Sequence, residues 1–113
     1  MITVKNLFED ETLLKSIVED IEDIPEDTKV DYEAWVFRYN KDGTVSEFLH
    51  GIFDNPDEAI KYAKNFELII PDGLPEEEKI YTHMTIEVET VIANPEDETG
   101  GTMNIGTIYH KDL

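Results

Sequence analysis

The chain has 113 residues, the usual length of one domain, and 40% of them are hydrophobic, which is enough to build a core. We therefore predict one folded domain over residues 1–113. Nine basic residues against 27 acidic ones give a net charge of −18, which excludes direct binding of nucleic acid or of an anionic membrane. There is no cysteine, so disulfides, thiolate metal sites and cysteine nucleophiles are excluded. The sequence shows neither a leader pattern nor a long apolar run, and we expect a cytoplasmic protein.

The first strong pattern is helical. Leu13, Leu14, Ile17, Val18 and Ile21 recur at helical spacing, and Asp10 precedes them where a side-chain oxygen can cap free amides. This predicts an amphipathic helix from about Asp10 to Asp23, ended by Pro25. The first seven or eight residues, with Ile2 and Val4 alternating, predict a short N-terminal strand.

A β-hairpin is predicted next. Residues 32–39 are rich in aromatic and β-branched side chains, which is typical of a strand, with Trp35, Phe37 and Tyr39 on one face. Residues 40–43 end in Gly43, which supplies the positive φ that a tight hairpin connection needs. The returning strand is predicted from about Thr44 to Phe53.

The second helix has the clearest start signal in the chain. Asn55 can cap it, Pro56 suits its first position, and Glu58 can complete a capping box; the helix then runs through Phe66. Residues 71–78 predict a loop because they combine prolines, Gly73 and three consecutive glutamates.

A second hairpin completes the domain. Residues 81–93 alternate between apolar and polar side chains over their whole length, which predicts a long strand with one buried face. Residues 94–101 predict a mobile connection, and Thr102 to His110 a returning strand. The order is α-β-β-α-β-β, and it favours an α+β two-layer sandwich in which two helices cover a four-stranded antiparallel sheet made of two β-hairpins.

The sequence contains few residues that could form a catalytic or metal site. His50, His83 and His110 lie on three different predicted strands with no metal-binding spacing. His83 and Glu87 share a strand face, and we interpret them as a polar pair on the solvent side. Glu87 and Glu89 are of the type that glycosidases use in pairs, but we expect no burial of either one. The sequence therefore predicts no catalytic residues, no metal and no cofactor, and we expect a protein that binds rather than an enzyme.

The distribution of charge is more informative. Between Glu9 and Glu33 there are eleven acidic residues and only two lysines, so about half of the net charge falls within 25 residues. On the predicted helix these carboxylates would form a negative ridge with a spacing comparable to that of nucleic-acid phosphates. Such a ridge could occupy the basic site of a nucleic-acid-binding protein. The residues that we assign to partner binding are Glu11, Glu19, Asp20, Glu22, Asp23, Glu26 and Asp27. The alternative is a solvated surface that only keeps the protein soluble.

In size, charge and α+β character the chain resembles the small acidic inhibitors encoded by phages and other mobile elements, which include DNA mimics and some anti-CRISPR proteins. The resemblance carries no sequence motif. It implies a protein-binding inhibitor whose partner is a basic, nucleic-acid-binding protein.

The aromatic strand supports a different hypothesis. If the helices cover only one face of the sheet, Trp35, Phe37 and Tyr39 are left on the other face, where a homodimer would bury them. In that case the protein is a structural or regulatory homodimer, and its acidity serves solubility.

Overall fold

The computed structural model describes residues 1–67 and 80–113, so the predicted loop at residues 71–78 lies outside the described residues. The described elements are β1 (Ile2–Thr3), α1 (Val4–Glu9), α2 (Glu11–Ser16), β2 (Lys29–Asn40), β3 (Val45–Phe53), α3 (Pro56–Asn65), β4 (Tyr81–Ala93) and β5 (Thr102–Asp112). The protein is α+β, with a curled antiparallel sheet and short helices. None of the described helices is long and apolar enough to cross a bilayer.

All strand pairs in the described sheet are antiparallel. β2 lies centrally, with β4 along one side and both β3 and the short β1 along the other, and β5 pairs with the far side of β4. Both predicted hairpins are therefore present, and they join through the β2–β4 pair. Gly43 has a φ of 89° in the β2–β3 turn, as its sequence position predicted. The predicted N-terminal strand covers only Ile2–Thr3, because the chain turns into α1 at Val4.

The three helices pack against one face of the sheet, which we call the covered face. Val4 and Leu7 of α1 and Ala59 and Ala63 of α3 are fully buried there against alternate residues of the strands. The strand residues of this core are Val30, Tyr32, Val36, Ile86, Val88, Ile92 and Ile105. Asn55 caps α3 as predicted, and its side chain accepts from the amides of Asp57 at 2.8 Å and Glu58 at 3.3 Å.

The predicted helix from Asp10 to Asp23 is wrong. Asp10 does cap a helix, accepting from the Thr12 and Leu13 amides, but α2 ends at Ser16 and Ile17 is already extended. The amide of Val18 then donates to the Ile105 carbonyl on the free edge of β5 at 2.9 Å. This tertiary hydrogen bond replaces the next helical one, and carboxylates in the last turns would have opposed the helix dipole. Val18, assigned to the apolar stripe, is 81% exposed.

Candidate functional site

The acidic residues predicted to bind a partner do not lie on one helix. Glu11 is in the first turn of α2, whereas the other six belong to residues 17–28, which we call the acidic segment. All seven side chains are exposed. The prediction of a continuous negative ridge on one helix is therefore wrong, and so is the carboxylate spacing that it implied.

The acidic segment is nevertheless tied to the folded core along its length. The Val18 hydrogen bond to β5 holds its start, and the side chain of Ile21 is 4% exposed within the core. At its end the carbonyls of Glu26 and Thr28 accept from the first amides of α1, both at 3.0 Å. The exposed carboxylates are thus carried by backbone that has fixed partners.

The acidic segment meets the β4–β5 connection at one end of the molecule. Glu19, Asp20 and Asp23 from the segment and Glu96 from the connection line a cleft of about 390 Å³, which we call the acidic cleft. Ile24 and Met103 add apolar side chains to the lining of the acidic cleft. The sequence could not predict this meeting, because the two segments lie far apart along the chain.

A second surface lies on the face of the sheet opposite the helices, which we call the open face. Trp35, Phe37 and Tyr39 of β2 share this face and are each only partly buried. On β3, Val45, Leu49 and Ile52 lie beside them and are 48%, 46% and 58% exposed. As predicted, the three aromatic side chains lie on one face, because alternate residues of β2 point to the same side of the sheet.

Strand register places carboxylates among these apolar side chains. Across β3, β2, β4 and β5, one row of the open face is Ile52, Glu33, Glu89 and Thr107, and the next is Leu49, Trp35, Glu87 and His110. Glu47 of β3 lies one further row along, opposite Phe37. Side chains directly opposite each other on neighbouring strands have Cβ atoms about 5 Å apart.

Glu33 and Glu89 are therefore like charges in directly opposed positions. Partial burial, together with the negative charges of Glu87, Glu33 and Glu47, raises the pKa of Glu89 to about 7. Glu87 and Glu89 are both partly buried, so the expectation that neither is buried is wrong in part for each. The register of β2 against β4 causes this, and the sequence does not reveal that register.

The indole and imidazole groups of the open face have defined partners. The Trp35 indole N–H donates to Glu33 at 3.0 Å. His110 Nδ1 lies 2.9 Å from a Glu87 carboxylate oxygen, and this hydrogen bond is the main cause of the raised pKa of His110. His83 stacks on the Tyr39 ring with centroids 4.3 Å apart, so the predicted His83–Glu87 pair is replaced by two separate contacts.

The three histidines do not converge. His50 packs edge-on against Phe66, whereas His83 and His110 lie on the open face in different rows. Over residues 1–67 and 80–113 there is no group of three or more His, Asp or Glu side chains that could hold a metal ion. What the described residues do offer is two anionic surfaces, the acidic cleft and the open face.

Comparison with models of protein families, with curated proteins and with solved structures gave no match.

Proposed function

We propose that this protein is a two-layer α+β binding module that acts in the cytoplasm by docking its acidic cleft against a basic surface of another protein. The observation that carries the proposal is the anchoring of the acidic segment, which fixes exposed carboxylates without pairing them. Among the described residues the ion pairs of Lys29 go to Asp31 and Asp54, and no ion pair involves the acidic segment.

The partner that fits best is a nucleic-acid-binding protein. Such proteins present Lys and Arg side chains in an array that neutralises phosphates, and several fixed carboxylates can occupy the same array. The protein would then act as an inhibitor that mimics nucleic acid. The resemblance to small acidic inhibitors of phages and mobile elements supports the same interpretation, and so does the net charge of −18.

The test compares the wild type with the triple variant E19Q/D20N/D23N. Each immobilised protein is used to retain partners from a lysate at about 50 mM salt, and a retained protein is then assayed for displacement of a labelled duplex of about 20 base pairs. We expect the wild type to displace the duplex and the variant to lose this competition. Asn at position 20 keeps an oxygen for the Glu22 amide, which the Asp20 side chain binds at 3.0 Å.

A matched control removes three charges elsewhere. Glu9, Glu67 and Glu98 are exposed and do not line the acidic cleft, so E9Q/E67Q/E98Q changes the net charge equally. Equal competition by wild type and cleft variant would remove the acidic cleft from consideration. Equal loss in cleft and control variants would mean that overall charge, not the cleft, is responsible.

A homodimer through the open face is the second candidate; the exposed side chains of Val45, Leu49 and Ile52 favour it, whereas the carboxylates that lie among them oppose it. It predicts a solution molar mass near twice that of the chain at micromolar concentration, with little dependence on salt. Light scattering at two salt concentrations tests this, and a monomer value throughout would reject the homodimer.

A further inference from the structure

The carboxylates of the open face are placed at a cost to the fold. Like charges directly opposite each other on neighbouring strands destabilise a sheet, and Glu33 and Glu89 are such a pair. Among the described residues no ion pair involves Glu33 or Glu89, and His110, a cation only when protonated, pairs with Glu87 and Asp112. A cation placed between two such carboxylates on a half-buried surface would relieve their repulsion.

Apolar surface borders this corner on the side of β3. Leu49 lies opposite Trp35, and Ile52 opposite Glu33, and both are about half-exposed. Within the described part of the chain β3 pairs only with β2, so its outer edge has no strand partner. A segment paired with that edge would lie about 10 Å from β2 and about 15 Å from β4, too far for an Arg side chain to reach Glu89. A ligand of both Glu33 and Glu89 must therefore lie over the face of the sheet.

We propose that the open face binds an extended basic segment of a partner protein that lies across β3 and β2, with one Arg or Lys side chain held between Glu33 and Glu89 beside the Trp35 ring. Apolar side chains next to that cation cover Leu49 and Ile52. The proposal shares with the proposed function the idea of a basic protein ligand, but it uses a different surface and does not depend on the acidic cleft.

Charge complementarity selects this occupant over a second copy of the chain. A two-fold contact through the open face would bring Glu33, Glu47, Glu87 and Glu89 toward the same four residues of the other copy. Each carboxylate would then lose water and gain another anion, which is strongly unfavourable. A guanidinium or ammonium group instead gains two carboxylates and an aromatic neighbour at once.

Binding of the cation is coupled to a proton. The groups that face Glu89 are Glu33 of β2, Glu47 of β3 and Glu87 of its own strand, and from β5 His110 reaches Glu87. Because the pKa of Glu89 is about 7, this carboxyl is partly protonated near neutral pH, and a bound cation must displace its proton. The affinity for a basic segment is therefore expected to rise between about pH 6 and pH 8, although His110, whose pKa is raised by its hydrogen bond to Glu87, also loses its proton as pH rises.

The probe is a blocked hexapeptide Leu-Thr-Arg-Thr-Arg-Thr, in which the Leu and Arg side chains share one face of an extended chain. Its matched control replaces each Arg by citrulline, which has the same shape without the charge. Trp35 is the only tryptophan of the chain, so its fluorescence reports binding at this corner directly. We expect the Arg peptide to shift the Trp35 emission in a saturable way and the citrulline peptide to leave it unchanged.

The decisive comparison is between two variants with equal charge. E33Q/E89Q removes the carboxylate pair while the new amide at position 33 keeps an oxygen that can accept from the Trp35 indole, and E19Q/E96Q removes two carboxylates of the acidic cleft. We expect the first to weaken Arg-peptide binding at pH 8 by about tenfold or more, because charge-assisted hydrogen bonds are lost. The second is expected to weaken it by less than about twofold, as a change in distant charge does.

Three results would overturn the proposal. Equal losses in the two variants would show that the peptide senses only overall charge, and a loss confined to E19Q/E96Q would move the basic ligand to the acidic cleft. Equal binding of the citrulline peptide would remove the cation from the interaction. Dimerisation of E33Q/E89Q but not of the wild type would support the proposal, because it would confirm that the carboxylates are what excludes a second copy.

Discussion

The two faces of the sheet are formed by the same strands, yet they differ in how well their residues suit the positions they occupy. On the covered face, Val36 and Ile86 are directly paired and buried beneath the helices. On the open face, the pair one row away from Trp35 is Glu33 and Glu89, two anions. Successive side chains of one strand therefore lie in different environments. Those on the covered face pack in the core, and those on the open face contact solvent or a ligand.

We interpret the covered face as the source of stability and the open face as a binding surface. The covered face is consistent at every level, because apolar alternation, helix packing and burial agree. The open face breaks the pairing rule for charges and leaves three aliphatic side chains exposed, and places where a sequence breaks such rules are where binding is expected. The predictions below test whether the two faces are as distinct as their residues indicate.

The largest expected effect belongs to the covered face. Ile86→Ala removes a fully buried side chain and should lower the free energy of unfolding by about 2–5 kcal/mol. Leu49→Ala on the open face should cost less than about 1 kcal/mol, because the side chain is already half in water. Urea unfolding followed by circular dichroism measures both. Similar losses would mean that the open face is part of the core.

The next effect concerns the contact that ends α2. A Cβ on Gly106 would meet the Ser16 carbonyl, a backbone atom that cannot move without its chain. Gly106→Ala should therefore destabilise by about 1–3 kcal/mol and loosen the acidic segment. We expect faster cleavage after Glu19 and Glu22 by a glutamate-specific protease.

Gly43→Ala is the control for this change. Gly43 has a positive φ but open space around it, so the substitution strains the hairpin turn without touching the acidic segment. It should leave cleavage after Glu19 and Glu22 near the wild-type rate. Equal acceleration in both variants would contradict a specific role for the Gly106 contact.

The elements that could be predicted from sequence are those with strong local signals. Residues 81–93 were predicted as a strand and form β4 with the same ends, because apolar and polar side chains alternate from His83 to Glu89 and no turn signal interrupts the segment. Asn55 and Pro56 predicted the start of α3, and Gly43 the hairpin turn, since each satisfies a local backbone requirement. The α+β class follows from these elements.

What could not be predicted depends on contacts between distant segments. The apolar spacing after Asp10 fits a long helix, but Ile17 and Ile21 reach the core from non-helical backbone once Val18 bonds to β5. The Glu33–Glu89 pair depends on the register of β2 against β4, which joins residues far apart in the chain. From the sequence, only the aromatic residues of the open face could therefore be assigned to one surface: Trp35, Phe37 and Tyr39.

A moderate effect is expected where a local signal supports the covered face. Asn55→Ala removes the acceptor for two amides of α3 and should lower the free energy of unfolding by about 1 kcal/mol. Asn55→Ser keeps a capping oxygen and should restore most of the loss. Thermal unfolding of the three proteins measures this, and an equally unstable Ser variant would show that the cap is not the cause.

The smallest expected effect is an increase in the free energy of unfolding, and it concerns the open face. The folded pKa of Glu89, about 7, exceeds its ordinary 4.5, so the folded state holds this proton more tightly than the unfolded state and loses stability as pH rises between these values. Glu89→Gln imitates the protonated form. It should match the wild type near pH 4 and exceed it at pH 8 by under about 1 kcal/mol, since solvent screens a half-exposed group.

His110 must be separated from this effect because its raised pKa acts in the same direction. Its ion pair with Glu87 contributes stability that is complete below the ordinary pKa of 6.5 and is lost as pH rises through the folded pKa. Both the wild type and Glu89→Gln retain His110, so the difference between their unfolding free energies from about pH 4 to pH 8 isolates Glu89. A difference that stays constant with pH would mean that the pKa of Glu89 is the same in the folded and unfolded states, and no proton would then have to leave when a cation binds.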